Sequence, residues 1–159
     1  MANIHDPIWD ELRDHPGFVA KRSRLGRQAG TVKTGVSLWE VAPGEAAYPY
    51  HWHMVEEEIV VILEGTPALR TPDGWRTLEK GEVVAFVVGE EGAHQILNDT
   101  DRTVRFLSFS NQHAEVCVYP DSGKIGAYGR EPDGSGMRLL FREADAVDYH
   151  DGEEPPTRP

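Results

Sequence analysis

Between Thr34 and Tyr119, short runs of β-branched and aromatic residues alternate with Gly, Pro, Asn and Asp. This rhythm restricts the fold more than any other feature of the chain. The runs span residues 36–41, 58–63, 68–71, 75–78, 83–88, 94–97, 104–110 and 115–119. None of them is long enough for an amphipathic helix, which needs about 11 residues with apolar positions recurring on one face. Turn chemistry marks the junctions: Pro72-Asp73-Gly74 suits a hairpin in which glycine takes positive φ, and Lys80-Gly81 and Asn98-Asp99 are similar breaks. The chain is therefore predicted to be all-β. Short strands at near-regular spacing are best accommodated in a closed barrel or a two-sheet jelly roll, where few strand edges stay exposed.

The ends read differently. Asp6 and Pro7 can open a short helix whose Ile8, Trp9 and Leu12 form one apolar face, stopping before His15-Pro16-Gly17. Residues 123–136 hold several glycines and Pro132 and are predicted to be a loop, residues 137–141 a last strand, and residues 152–159 a polar, frayed end. At 159 residues the chain has the size of one domain, with a barrel core expected over about 30–119 and arms over 1–29 and 120–159.

Charge narrows the partners. With 27 acidic against 16 basic residues and a formal charge of -11, the chain is a poor match for nucleic acid or an anionic membrane. The basic run Lys21, Arg22, Arg24 and Arg27 could hold an anion, but such runs are usually a solvated surface and it is read as one. Residues 1–15 carry Asp6, Asp10, Glu11 and Asp14 where a secretory signal would be basic and then apolar, and no later run is long enough to span a bilayer. A cytoplasmic protein is expected. The lone Cys117, between Val116 and Val118, fits a reducing compartment and reads as a small buried filler.

The residues with chemistry are His51, His53, Glu58 and His94. Alternate side chains of a strand face the same way, so His51 and His53 project together while Trp52 points opposite. Glu58 shares a face with Val60 and Ile62 on the next strand, and His94 starts a later one. Three imidazoles and a carboxylate form a donor set for one divalent transition metal ion, and on an octahedral ion they leave two positions open.

In their order and spacing these residues resemble the cupin superfamily, and in particular small single-domain bacterial metal-binding cupins. The first cupin motif is matched by Gly44, six residues, His51-Trp52-His53, four residues, Glu58, six residues and Gly65. Its first interval is one residue longer than the usual pattern, a difference that a bulge absorbs. The second is matched by Gly81, five residues, Val87-Val88-Gly89, four residues, His94, three residues and Asn98. Here Val87 stands where the family has proline, and two extra residues precede His94.

The resemblance implies a double-stranded β-helix (jelly-roll) barrel, often a homodimer built by arms outside the barrel. It also implies a metal held by His51, His53, Glu58 and His94, with Glu58 able to act as a catalytic base. Imidazole ligands do not select among Fe, Mn, Co, Ni and Zn. The expected activity is that of a metal-dependent oxidoreductase, dioxygenase-like, on a small oxygenated molecule. The alternatives are a non-catalytic metal- or small-ligand-binding cupin and a sugar-isomerase-like cupin, for which Arg70, Arg76 and Arg105 are the candidate phosphate-facing cations. Trp39, Tyr48, Tyr50 and Phe86 are candidates for the pocket wall.

Overall fold

The computed structural model describes residues 1–129 and 136–158. The strands are β1 (Glu11–His15), β2 (Phe18–Ser23), β3 (Thr34–Val41), β4 (Trp52–His53), β5 (Glu58–Glu64), β6 (Ala68–Thr71) and β7 (Gly74–Thr77). They continue with β8 (Val83–Phe86), β9 (Gln95–Leu97), β10 (Val104–Asn111), β11 (Glu115–Tyr119), β12 (Lys124–Tyr128) and β13 (Arg138–Arg142). A single turn-and-a-half helix, α1 (Leu25–Ala29), joins β2 to β3 and ends on Gly30 in the left-handed region at φ 87.

Three antiparallel sheets result, in the orders β1-β2-β3-β10-β5-β8, β13-β12-β11-β4 and β7-β6-β9. Isolated bridges Ala46↔Leu97 and His51↔His94 tie the two smaller sheets together. The fold is the double-stranded β-helix predicted above. Its core is built from Trp39, Val41, Val60, Ile62, Phe86, Val104 and Phe106 of the large sheet, packed against Tyr48, Leu69, Leu78 and Ile96. Each such side chain stabilises the fold by about 1.5–3 kcal/mol relative to exposure. Among the described residues no helix is long and apolar enough to cross a membrane.

Strand register decides what shares the inner face. One cross-strand row runs Glu11, Arg22, Trp39, Phe106, Ile62, and the next runs Arg13, Ala20, Val41, Val104. A third runs Gly35, Ser110, Glu58, Phe86. The buried members of these rows, such as Trp39 and Val41, fix the inner side, so Glu11, Arg13, Arg22 and Glu58 lie on that side as well.

Two expectations fail here. The N-terminal helix is absent: residues 11–15 form β1, which pairs with β2 in a hairpin. Pro16 and Gly17, the latter at φ 86, supply the tight turn between them. Pairing to β2, itself hydrogen-bonded to β3, satisfies the backbone along a sheet edge and overrides a helical pattern whose Ile8 and Leu12 are 61% and 72% exposed. The expected loop over 123–136 is a strand over β12, continuing the sheet from β11; residues 130–135 of that loop, and Pro159, lie outside the described residues. The segments expected as arms, before Thr31 and after Tyr119, thus pair through β2 and β12 with sheets of their own chain.

Candidate metal centre

The four predicted donors converge. Ring nitrogens of His51, His53 and His94 and a carboxylate oxygen of Glu58 all lie within 4.8 Å of one another. Donors that neighbour each other around an ion with bonds of about 2.1 Å sit about 3.0 Å apart, and opposite donors about 4.2 Å apart. Glu58 Oε2 is 3.1 Å from His94 Nε2 and 3.4 Å from His53 Nε2, which are neighbouring-donor separations.

Each histidine reaches the focus from a defined backbone position. His51 and His53 flank the half-buried Trp52, and both are buried, as strand alternation requires. His51 is the bridge partner of His94, with His94 N–H donating to His51 O at 2.9 Å. The bridges at Ala46 and His51 leave residues 47–50 opposite residues 95–96, and the extra residue of the first motif is absorbed in that irregular stretch. The two extra residues before His94 coil into a 3-10 turn over Glu90–Gly92. Asn98, which ends the motif, is structural: its Nδ2 donates to Val41 O and Arg102 O.

The outer ring nitrogens show which nitrogen is free for metal. His51 Nδ1 lies 2.9 Å from Pro49 O and His94 Nδ1 lies 2.9 Å from Gly92 O. A carbonyl can only accept, so both Nδ1 atoms carry hydrogen, and in the neutral ring each Nε2 presents a lone pair inward. His53 Nδ1 instead faces Cys117 Sγ at 3.5 Å, and its Nε2 is buried without a hydrogen-bond partner among the described residues. A buried ring nitrogen without a hydrogen-bond partner, at the meeting point of three other donors, fits a divalent cation. Phe86 stacks on His94 with ring centroids 3.7 Å apart, and Tyr48 meets His51 and His94 edge-on at 5.0 and 5.5 Å.

Protonation suits the same use. Burial, then the neighbouring His94 and His53, hold His51 well below the usual imidazole range, so it is neutral. Burial opposes ionisation of Glu58, but the adjacent His53 and His94 keep it well below the usual carboxylate range. Burial likewise opposes a charge on His53, yet Cys117 and then Glu58 push it up to about 10. A bound cation would displace that proton.

The donors open onto a cavity of about 770 Å³, lined by His51, His53 and Glu58 at one end. That volume is in the range of small-molecule sites, about 300–1,000 Å³. Trp39 and Tyr48 form part of the wall, as predicted. Phe86 packs behind His94, and Tyr50 lies under the Arg70 guanidinium at 4.0 Å, so neither is among the lining residues.

Arg13, Arg22, Arg24, Arg27 and Lys33 also line the cavity as a cationic wall; sequence reasoning named Arg22, Arg24 and Arg27 but favoured a solvated surface over an anion site, and it did not single out Arg13 and Lys33. Arg22 Nε donates to Ser37 Oγ at 3.0 Å, and the guanidinium lies over Trp39, as does that of Arg13. Glu11 accepts from Arg13 at 2.7 Å and from Arg24 at 3.0 Å. Burial, followed by the charge of Arg24, pushes Arg22 down to about 10, which leaves it cationic. Lys21 points outward to Glu40, so the basic run is only partly a solvated surface. Arg70, Arg76 and Arg105 are not lining residues; they pair with Asp121, Glu82, and Glu40 and Glu64. Had residues 11–23 been read as two strands, their parity would have placed Glu11, Arg13 and Arg22 on one face.

Glu115 was also missed. Fully buried, it accepts from the backbone N–H groups of Met54, Val55 and Glu56 at 2.9, 3.3 and 2.6 Å. It thereby fixes the loop that sets His53 against Glu58. The adjacent Glu57 is exposed and its N–H donates to Asn111, so Glu58 is the carboxylate of the site.

Comparison with known proteins agrees with the fold. Residues 37–110 match the model of the cupin domain. No curated protein matches the chain. Among solved structures, a sugar phosphate isomerase of the cupin superfamily from Silicibacter pomeroyi is 27% identical over 83% of this chain and 82% of its own, with a TM-score of 0.73. A protein from Acidithiobacillus ferrooxidans, described as a candidate sugar phosphate isomerase, is 29% identical over 84% of this chain and 83% of its own, also with a TM-score of 0.73. A polyketide cyclase from Streptomyces resistomycificus shares the fold, at 23% identity over 70% of this chain and 78% of its own and a TM-score of 0.59.

Proposed function

Because the chain is a small cupin-family protein, we propose that it is a divalent-metal enzyme that interconverts the aldose and ketose forms of a small phosphorylated sugar. One observation carries this reading: His51, His53 and Glu58 of the donor cluster share a single cavity with a wall of guanidinium groups. A divalent ion in the cluster supplies Lewis acidity toward the carbonyl and hydroxyl oxygens of the substrate. The names of the Silicibacter and Acidithiobacillus relatives support the same class of substrate.

Glu58 is the proposed base. Its contacts to His53 and His94 both run through Oε2, which leaves Oε1 as the oxygen to take the proton from the carbon beside the carbonyl and return it to the neighbouring carbon. The hydroxyl proton moves between the two substrate oxygens in the same direction, so one carbon is oxidised as its neighbour is reduced and the reaction is an isomerisation with no external oxidant. The buried Tyr48 hydroxyl, without a partner among the described residues, is a donor available to a substrate oxygen. The dioxygenase reading draws on the donor set alone and leaves the cationic wall without a role.

The test is incubation of the metal-loaded protein with pentose and hexose phosphates in D2O, followed by NMR. Isomerisation should appear as ketose or aldose product with deuterium at the carbon that exchanges its proton. Glu58→Gln should abolish exchange while retaining ligand binding. Binding of sugar phosphates with no exchange in any metal form would leave a ligand-binding cupin instead.

A further inference from the structure

We infer that the hairpin of β1 and β2 is the phosphate-binding element of the cavity, with Arg13, Arg22 and Arg24 receiving the phosphate monoester and Glu11 holding them in its absence. This rests on the isomerase reading for the identity of the rest of the ligand, but the phosphate site itself stands on separate observations. The hairpin precedes residues 37–110, where the cupin domain matches and all four metal donors lie, so metal and phosphate would be held by different parts of the chain.

Register puts Glu11, Arg13 and Arg22 on the inner face, in rows that lead through Trp39 and Val41 into the core. Two guanidiniums, those of Arg13 and Arg24, share the Glu11 carboxylate, and Arg22 adds a third positive charge on the same face, in a chain whose formal charge is -11. A half-buried excess of positive charge is unfavourable unless an anion completes it. Arg22 is also prepositioned: Ser37 takes Nε alone, and the Trp39 ring supports the guanidinium plane at 5.0 Å. That arrangement suits the two-pronged recognition of a phosphate by arginine. Lys21, one residue away, is an internal control because it faces outward to Glu40 at 2.8 Å.

The experiment is titration of the full chain, stripped of metal, with inorganic phosphate at constant ionic strength, followed by calorimetry. The wild type should bind phosphate saturably at one site. Arg22→Gln should weaken binding by about tenfold or more, as expected for loss of a charge-assisted pair of bonds. Lys21→Gln should leave it within about twofold, as for an exposed charge. Glu11→Gln should tighten binding, because the competing carboxylate is gone. Should Arg22→Gln fail to fold, Arg24→Gln replaces it in the same comparison. Equal losses for the inner arginine and Lys21 variants, or no saturation by phosphate, would overturn the assignment. Phosphate binding without any isomerisation would overturn the isomerase reading and leave the hairpin site intact. Turnover of free sugars that phosphate does not inhibit would do the reverse.

Discussion

Tyr48→Phe should make the metal-free protein more stable while weakening its function. The Tyr48 side chain is 9% exposed, and its hydroxyl is buried without a hydrogen-bond partner among the described residues. A buried hydroxyl left unsatisfied costs about 1–3 kcal/mol. Phenylalanine retains the ring, and with it the edge contacts to His51 at 5.0 Å, His94 at 5.5 Å and Trp39 at 5.6 Å. The substitution therefore removes the penalty and little of the packing. For a chain of this length each kcal/mol shifts Tm by about 2–4 °C, so differential scanning calorimetry of the metal-stripped protein should show a rise of about 2–12 °C. If the hydroxyl donates to a bound ligand, sugar phosphate affinity or turnover should fall by about 3–10-fold, the worth of one neutral hydrogen bond. A lower Tm for Tyr48→Phe would mean that the hydroxyl has a structural partner, and the reasoning would fail.

A Cβ at position 92 would overlap the carbonyl oxygen of Val87, so Gly92→Ala must distort the 3-10 turn whose Gly92 O orients His94. Losing such an outer partner should weaken metal binding by about 10–100-fold, measured by competition with a chelating dye. Glu115→Ala strands the backbone N–H groups of Val55 and Glu56, while Met54 N–H keeps Val116 O, and should cost about 2 kcal/mol or more in urea unfolding, with Glu115→Gln recovering part of it. The Glu11 carboxyl is held below its ordinary range because Arg13, Arg22 and Arg24 outweigh the opposing effect of burial. Its contribution to stability is therefore complete above the ordinary carboxylate pKa and is lost as pH falls through the lowered one. Acid titration of Tm should show a smaller loss over that window in Glu11→Gln than in the wild type.

The metal donors were legible because strand parity and motif spacing are local properties. His51, His53 and Glu58 needed only a period of two, and Val60 and Ile62 fixed the buried face of β5. His94 lies where the motif predicts despite the two extra residues, since a 3-10 turn takes up the added length without moving the bridge to His51. The N-terminal hairpin was not legible. Pro7, Ile8, Trp9 and Leu12 have helical spacing, and what decides against a helix is pairing of β1 with β2, which is itself held by β3, a contact distant in sequence. Losing β1 and β2 hid the cationic wall, because the inward direction of Arg13 and Arg22 exists only once they are strands. β12 was obscured for a related reason: Gly123 and Gly126 look like loop residues, but Gly126 is needed opposite Cys117, where a Cβ would come within 2.7 Å of the Tyr128 hydroxyl.

Metal stoichiometry and coordination in protein made without an affinity tag test the central claim most directly. Elemental analysis should find one divalent transition metal ion per chain in the wild type, and X-ray absorption should give nitrogen and oxygen ligands at about 2.0–2.3 Å. Trp52→Phe should retain the ion, because Trp52 points away from the site, and His53→Ala should lose most of it. Equal occupancy in the two variants, or an ion without imidazole ligands, would contradict a centre built from His51, His53, Glu58 and His94.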